Sequence, residues 1–245
     1  MATDVAQSAA RGEGKREYVQ QIFSEIAPRY DLLNHLLSFN IDKRWRRRAL
    51  RALNWSAAPD GRFLDLCAGT LDVGAALVSE TGFGGVVVGA DFAVPMLRQG
   101  EGKAPRSRLV PIGADALSLP FADNCMDGAI VAFGIRNVAS LDSGLREVLR
   151  VLKPGARFVI LEFSTPRSTL VRAGYQAYFH HVLPFIGGIV SGHRSAYRYL
   201  PASVALFPTE ERLADAMRNA GFTNVGFERL TLGIAAIHAG TAPST

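Results

Sequence analysis

The stretch that most constrains this chain is residues 63–74, which read FLDLCAGTLDVG. An apolar run carries an acid, Asp65, passes through small residues at 68–70 and enters a second apolar-periodic segment. This order is typical of a strand, a tight loop and a helix start, where backbone N–H groups are open to a ligand. Taken alone, the stretch also fits an ordinary strand-to-helix turn that binds nothing.

A second apolar run, residues 86–90, ends on Asp91, which follows Asp65 by 26 residues. That separation suits one strand–helix–strand unit and places Asp91 at the tip of the neighbouring strand. An acid at this tip can accept hydrogen bonds from both hydroxyls of a ribose. The two segments together predict a site for a nucleoside cofactor.

Two nucleoside cofactors, NAD and S-adenosylmethionine, are candidates for this site. A dinucleotide site needs Gly-x-Gly-x-x-Gly so that a helix N-terminus can approach a pyrophosphate. Here Cys67 and Leu71 stand where small residues are needed, and only Gly69 and Gly74 are present. The carboxylate of Asp65 is unsuited to a diphosphate, but it suits the ammonium of a methionine moiety, directly or through water. We therefore expect S-adenosylmethionine.

The apolar pattern of the remaining chain predicts a doubly wound α/β fold with a parallel sheet. Strands are expected near residues 62–66, 86–91, 108–112, 127–133 and 157–163. Helices are expected throughout 14–55, over 141–152 with a stop at Lys153-Pro154-Gly155, within 170–206, and over 209–220. Residues 225–230 and 234–239 suit a terminal β-hairpin. A dinucleotide dehydrogenase would continue into a second mononucleotide half, which this pattern lacks.

Composition and charge narrow the class of protein. With 48% hydrophobic and 20% charged residues, the 245-residue chain has an ordinary globular composition. Its two cysteines lack metal or redox spacing, so both are expected to be reduced, with Cys67 a small loop residue rather than a nucleophile. No secretory signal follows Met1, which favours a cytoplasmic location.

The net charge of +5 is concentrated at residues 43–48 and at Arg51. On a helix, these basic residues surround an inner side formed by Trp45, Ala49, Leu50 and Leu53. The cluster fits either a solvated helix face or peripheral contact with an anionic membrane surface. No aromatic stacking pattern or recognised nucleic-acid module accompanies it, so no nucleic-acid partner is expected.

Residues 179–190 form an apolar segment that is too short for a membrane span and is broken by Pro184, Gly187 and Gly188. We expect a broken helix there, which would form one wall of a pocket for an apolar substrate. The neighbouring histidines lack an acid or cysteine at ligand spacing, so no metal site is expected. These histidines are His180, His181 and His193.

Several ordered motifs resemble those of the S-adenosylmethionine-dependent C-methyltransferases of menaquinone and ubiquinone biosynthesis. They read YDLLN at 30–34, FGIRN at 133–137, RVLKPG at 150–155 followed by EFS at 162–164, and YRYLP at 197–201. The resemblance extends over about residues 18–238. It implies a Rossmann-like class I methyltransferase fold with N-terminal helices, a helical insertion after strand five and a terminal hairpin.

The resemblance also implies a domain division and a site. It implies a disordered tail at 1–14 and one methyltransferase domain at 15–245, with a helical cap at 15–58 and a substrate-side helical insertion at 165–208. The expected residues that bind S-adenosylmethionine are Asp65, Gly69, Thr70, Asp91, Asp115, Ala116 and Ala132. Ala132 stands where a cofactor-contacting serine is common in the family. From the residues alone, Asp115 fits either an adenine acceptor or a simple turn carboxylate.

The resemblance places Arg136 and Tyr30 against the ring of a prenylated quinol. Methylating a ring carbon requires the reduced, electron-rich ring and loss of a hydroxyl proton. Arginine stays protonated, so Arg136 is expected to stabilise the quinolate and orient a water that takes the proton, while Tyr30 positions the ring or its proton. A structural ion pair for Arg136 stays open, as do a basic and a structural role for Glu162.

The resulting expectation is methylation of demethylmenaquinol to menaquinol. Alternatives are 2-methoxy-6-polyprenyl-1,4-benzoquinol, another apolar acceptor such as a sterol, and a non-catalytic membrane-associated binding protein. Ring size is read by pocket shape, so the sequence does not separate naphthoquinol from benzoquinol. A homodimer is also left open.

Overall fold

The computed structural model describes residues 14–30, 38, 40–178 and 194–244, without the side chains of Arg29 and residues 194–198. Its helices are α1 (Lys15–Ile26), α2 (Ile41–Leu53), α3 (Asp72–Val78), α4 (Val94–Gln99), α5 (Leu141–Val151), α6 (Thr169–Ala177), α7 (Arg194–Leu206) and α8 (Glu210–Asn219). Its strands are β1 (Arg62–Leu66), β2 (Val86–Asp91), β3 (Leu109–Gly113), β4 (Met126–Ala132), β5 (Leu152–Phe163), β6 (Thr223–Leu230) and β7 (Ala235–Thr241). The predicted broken helix at 179–190 and the histidines at 180, 181 and 193 lie outside the described residues.

The strands form one seven-stranded sheet in the order β3-β2-β1-β4-β5-β7-β6. The first five pair in parallel, and β7 pairs antiparallel with both β5 and β6. The strand order reverses between β1 and β4, so their carboxyl ends flank a crevice where ligands bind in folds of this kind. The predicted parallel sheet and terminal hairpin are confirmed, and β7 lies inside the sheet rather than at its edge.

Successive side chains along the strands point to opposite faces of the sheet and contribute to two hydrophobic cores, one on each face. Leu64 and Leu66 of β1 pack with Leu145 of α5 on one face, whereas Phe63 packs with α2 and α3 on the other. This period-two division is what a strand buried on both faces requires. On α2, the predicted inner residues Trp45, Ala49, Leu50 and Leu53 are all buried, which confirms that part of the prediction.

The bounds that the sequence predicted for one helix and one strand were wrong. The expected continuous helix over 14–55 is interrupted, because Asn40 adopts a left-handed conformation with φ 58° and α2 begins only after it. The fifth strand begins five residues before the expected residue 157, directly after α5 ends at Val151. Leu152 already pairs with Met126, and an irregularity in the register lets the strand continue through Pro154 and Gly155. No helix in the described ranges is long and apolar enough to cross a membrane.

Candidate functional site

A partly open cavity lies at the carboxyl ends of β1, β2 and β4. Its floor includes Leu66 and Cys67 after β1, and Asp91 at the end of β2. Its roof comes from the N-terminal helical segment, through Arg16, Phe23 and Tyr30. A concave site at a topological switch point is where folds of this kind bind small molecules.

Asp91 accepts hydrogen bonds from two loops at the edge of this cavity. One carboxylate oxygen accepts the backbone N–H of Gly69 at 2.8 Å, and the other accepts that of Ala93 at 2.8 Å. Burial raises the pKa of Asp91, while these backbone donors act to lower it. A carboxylate offers about four lone-pair sites, so Asp91 can accept these backbone donors and still accept a ribose hydroxyl.

Asp65 lies beneath the loop rather than among the residues that line the cavity. Its Oδ2 accepts the backbone N–H of Gly74 at 2.9 Å, and burial raises its pKa to about 7. A Cβ at Gly74 would lie 2.6 Å from Cδ1 of Leu109, so glycine lets α3 approach the sheet closely enough for this bond. Asp65 therefore holds the helix start in place, and its contact with the cofactor ammonium stays a prediction.

Of the other five residues expected to bind the cofactor, four line the cavity and Thr70 does not. Gly69, Asp115, Ala116 and Ala132 line the cavity. Asp115 accepts the backbone N–H of Leu117 at 3.0 Å through Oδ1, which aims the carboxylate. Thr70 is buried beside the loop and is not among the lining residues.

Arg136 follows β4 in a short 3₁₀ turn and forms a buried ion pair with Glu162 at the end of β5. Its Nη1 lies 2.8 Å from Oε1 of Glu162 and also donates to the carbonyl of Phe133. Its Nε donates to Oγ of Ser203 at 3.3 Å. No described residue accepts from Nη2, so two of the five guanidinium N–H donors have no acceptor among the described residues.

The charge of Glu162 is controlled by two opposing effects. Burial raises the pKa of Glu162, and the Arg136 guanidinium lowers it. The carboxylate also accepts the backbone N–H of Phe163 at 2.9 Å, which fixes its orientation at the strand end. The structure thus gives Glu162 the task of holding Arg136, one of the two roles the sequence left open.

Tyr30 lines the cavity, and its ring packs edge-on against Phe23 at 5.9 Å between centroids. Arg136 itself is not among the lining residues, although its neighbours Phe133, Gly134 and Asn137 are. The two expected catalytic residues therefore approach the cavity from different elements. Their joint contact with a quinol ring stays a prediction.

Sequence reasoning assigned no role to several residues that the fold brings to this site. Asn137 lines the cavity, and its Oδ1 accepts the hydroxyl of Tyr199 at 3.0 Å. Burial raises the pKa of Tyr199 to about 12, so this hydroxyl stays protonated as a donor. The FGIRN motif contains Asn137 and was the available signal for it. Arg16 belongs to no motif that the sequence analysis used, because α1 is distant in sequence from the strand ends that form the site.

The thiol of Cys67 is unsuited to nucleophilic chemistry. Burial and the nearby carboxylate of Asp91 raise the pKa of this thiol, which keeps it protonated and a poor nucleophile. Within the described ranges, no three His, Cys, Asp or Glu side chains form a group that could hold a metal.

The sequence model of the ubiE/COQ5 methyltransferase family matches residues 11–242. The chain belongs to this family. The predictions of a C-methyltransferase family and of S-adenosylmethionine as cofactor are thereby confirmed at the family level.

Relatives align along nearly the whole chain. A protein named demethylmenaquinone methyltransferase from Thermus thermophilus is 51% identical over 226 residues, which cover 91% of this chain and 100% of that protein. A protein named ubiquinone/menaquinone biosynthesis C-methyltransferase UbiE, from Geobacter sulfurreducens, is 46% identical over 92% of this chain and 89% of its own length.

Solved structures of lower identity show the fold. A SAM-dependent methyltransferase from Thermotoga maritima, named a possible histamine N-methyltransferase, is 18% identical with a TM-score of 0.62, over 91% of this chain and 98% of that one. The [4+2]-cyclase SpnF is also 18% identical, with a TM-score of 0.62 over 82% of each chain. Since a cyclase and a methyltransferase share this architecture, the fold alone does not determine the chemistry.

Proposed function

We propose that this member of the ubiE/COQ5 family transfers the methyl group of S-adenosylmethionine to a ring carbon of a prenylated quinol, with demethylmenaquinol as the preferred acceptor. Two observations support the proposal. The relative named demethylmenaquinone methyltransferase aligns over its full length at 51% identity. A buried guanidinium, two of whose N–H donors have no acceptor among the described residues, lies next to residues that line the cavity where the cofactor would bind.

In the proposed reaction, the quinol first loses a hydroxyl proton to water, and the new C–C bond then forms as the S–CH₃ bond breaks to leave S-adenosylhomocysteine. The ring carbon finally loses its proton as the quinol oxygen regains one from water, so that one proton is released overall. Arg136 cannot act as a base, since it stays protonated. Its Nη2 group instead donates to the quinol oxygen as negative charge develops there, while Glu162 keeps the guanidinium in place. Asp91, Asp115 and Ala116 hold the adenosine, and Tyr30 covers the reacting end of the pocket.

The roof and the apolar lining contribute by excluding water. Phe23, Met96 and Phe133 line the cavity together with Tyr30. A dry pocket strengthens the interaction between Arg136 and the quinolate and favours an aligned attack on the sulfonium methyl. No step in this scheme requires a metal.

The test is turnover of methyl-labelled S-adenosylmethionine with reduced demethylmenaquinol and the demethylated benzoquinol offered side by side. We expect transfer to demethylmenaquinol. Transfer to the benzoquinol alone would instead assign the chain to ubiquinone biosynthesis, and transfer to both would assign it a dual role. Cofactor binding without transfer to either would refute the quinol proposal and point to another apolar acceptor.

Peripheral membrane contact belongs to the same proposal, because a prenylated quinol resides in the bilayer. Residues 44, 47, 48 and 51 share one face of α2, and this exposed face is entirely arginine. Among described residues, only Arg48 of these four has an ion-pair partner, Glu228. The adjacent turn, whose Thr231 accepts the indole N–H of Trp45, presents Leu232 at 77% exposure.

Vesicle flotation tests this contact. We expect binding to vesicles that contain phosphatidylglycerol but not to pure phosphatidylcholine, and loss of about 30-fold in affinity for Arg44→Gln/Arg47→Gln, at about 1 kcal/mol for each residue. The matched control Arg98→Gln/Arg106→Gln removes two exposed charges elsewhere. Equal binding of both double variants would contradict a role for this face.

The domain division and the homodimer remain proposals. The division assigns residues 15–58 to a helical cap and 165–208 to a substrate-side insertion, which limited proteolysis with and without cofactor tests. Light scattering coupled to size exclusion measures whether the protein is a dimer.

A further inference from the structure

The first turn of α1 contacts two loops at the edge of the cavity. Arg16 Nη2 lies 3.0 Å from Oδ2 of Asp115, the residue expected to accept the adenine amino group. Lys15 Nζ donates to the carbonyls of Arg136 and Val138, both at 2.9 Å. Two adjacent side chains therefore attach one helix to the adenine side and to the turn that carries Arg136.

The contacts of Lys15 are the stronger pair. Lys15 is half-buried, and a charged donor that satisfies two carbonyls in a partly dry setting contributes more than a surface ion pair does. Both burial and the positive charge of Arg136 disfavour the charged form of Lys15 and lower its pKa, so its two hydrogen bonds form against these opposing effects. The Arg16 side chain, in contrast, is 55% exposed, so its ion pair is weaker and easily broken.

The rest of α1 completes a roof. Phe23 of α1 and Tyr30 just beyond it line the cavity, and Val19 and Ile22 pack with Tyr199 of α7. A cofactor seated on Asp91 and Asp115 would lie under this roof. Movement of α1 away from the cavity would widen the opening through which S-adenosylhomocysteine leaves and S-adenosylmethionine enters, and this movement would break the contacts of Lys15 and Arg16.

We propose that Lys15 and Arg16 form a clasp that closes α1 over the bound cofactor and sets the rate of cofactor exchange. Asp115 can serve both partners, because a carboxylate offers about four lone-pair sites and Leu117 N–H and Arg16 occupy only two. The clasp thus holds the cofactor rather than competing with it. The inference rests on the proposed cofactor site but not on the identity of the methyl acceptor.

The experiment loads the full-length protein with tritiated S-adenosylhomocysteine and follows its release after addition of excess unlabelled ligand. We expect the dissociation rate to rise about threefold for Arg16→Met and about tenfold for Lys15→Met, with faster association in both. Arg16→Lys should restore a near-normal rate. Glu17→Gln, an exposed change on the same helical turn, is the matched control and should release ligand at the wild-type rate.

Two results would overturn the clasp. The first is wild-type release from both Arg16→Met and Lys15→Met, and the second is tighter binding by Arg16→Met, which would mean that Arg16 competes with the cofactor. Because Arg16 is half exposed, its replacement does not threaten folding and carries the test if Lys15→Met is unstable. Failure of the wild-type protein to bind S-adenosylhomocysteine at all would refute the proposed function instead.

Discussion

The buried pair of Arg136 and Glu162 allows stability and catalysis to be separated by a double-mutant cycle. Their side chains are only 6% and 3% exposed, so Arg136→Met leaves an uncompensated buried carboxylate. Removing one member of such a pair costs about 3–5 kcal/mol, which for a chain of this size lowers Tm by roughly 6–20 °C. Adding Glu162→Gln removes the stranded charge and should recover at least half of the lost stability.

Turnover should behave differently from stability across this cycle. If Arg136 stabilises the quinolate, its loss costs about 10²-fold in kcat, and the double variant stays equally slow although it folds well. The assays are urea denaturation and methyl transfer to demethylmenaquinol at saturating cofactor, with Glu147→Gln/Arg150→Met as a control ion pair elsewhere. Recovery of turnover together with stability in the double variant would refute the catalytic assignment and leave Arg136 a structural residue.

The single variant Arg136→Met carries a further signature in its pH dependence. Without the guanidinium, only burial and two backbone donors act on Glu162, so its pKa rises further above the unfolded value. A carboxyl with a raised folded-state pKa destabilises the fold above its unfolded pKa and ceases to do so below it. The stability deficit of Arg136→Met should therefore shrink as pH falls toward 4.5.

Three further predictions concern the cofactor loop. Relative to wild type, Asp65→Asn should gain stability as pH rises from about 4 to 7. Burial raises the folded-state pKa of Asp65 to about 7, so the wild-type carboxyl loses its proton at lower pH in the unfolded chain than in the folded one. A difference in unfolding free energy that is constant between pH 4 and 8 would contradict this. Gly74→Ala should destabilise by about 1 kcal/mol in urea denaturation, since overpacking against Leu109 outweighs the gain in helix propensity, and an unchanged midpoint would show that the helix can shift. Asp91→Asn should weaken S-adenosylmethionine binding by about 1–3 kcal/mol in calorimetry, with the exposed Asp123→Asn as control; equal affinities would remove Asp91 from the site.

Local patterns predicted the parallel sheet, because each of its strands contains a run of apolar residues, and β2, β3 and β4 end at an acidic or small residue, namely Asp91, Gly113 and Ala132. They failed where the decisive contact is distant. The left-handed conformation of Asn40 has no apolar signature, and the early start of β5 depends on pairing with Met126 of another strand.

The candidate site shows the same limit. The position of Asp91 at a strand tip followed from spacing alone, and its two backbone donors confirm that it organises the loops. The partnership of Arg136 with Glu162 spans 26 residues, and that of Lys15 with the Arg136 turn spans more than a hundred. No periodicity connects such positions, so only the folded chain reveals which carboxylate holds the guanidinium and which helix covers the cavity.

The interior placement of β7 has a consequence for synthesis of the protein. β5 pairs along residues 157–163 with residues 235–241, so its second edge stays unpaired until the last strand has emerged from the ribosome. During that interval the nascent chain displays a long apolar strand edge, the kind of surface that promotes association between chains. The amino-terminal half can collapse early, but the sheet closes only after β7 has been synthesised. Cells that overproduce this protein should therefore depend on chaperones that bind nascent chains to obtain it in folded form.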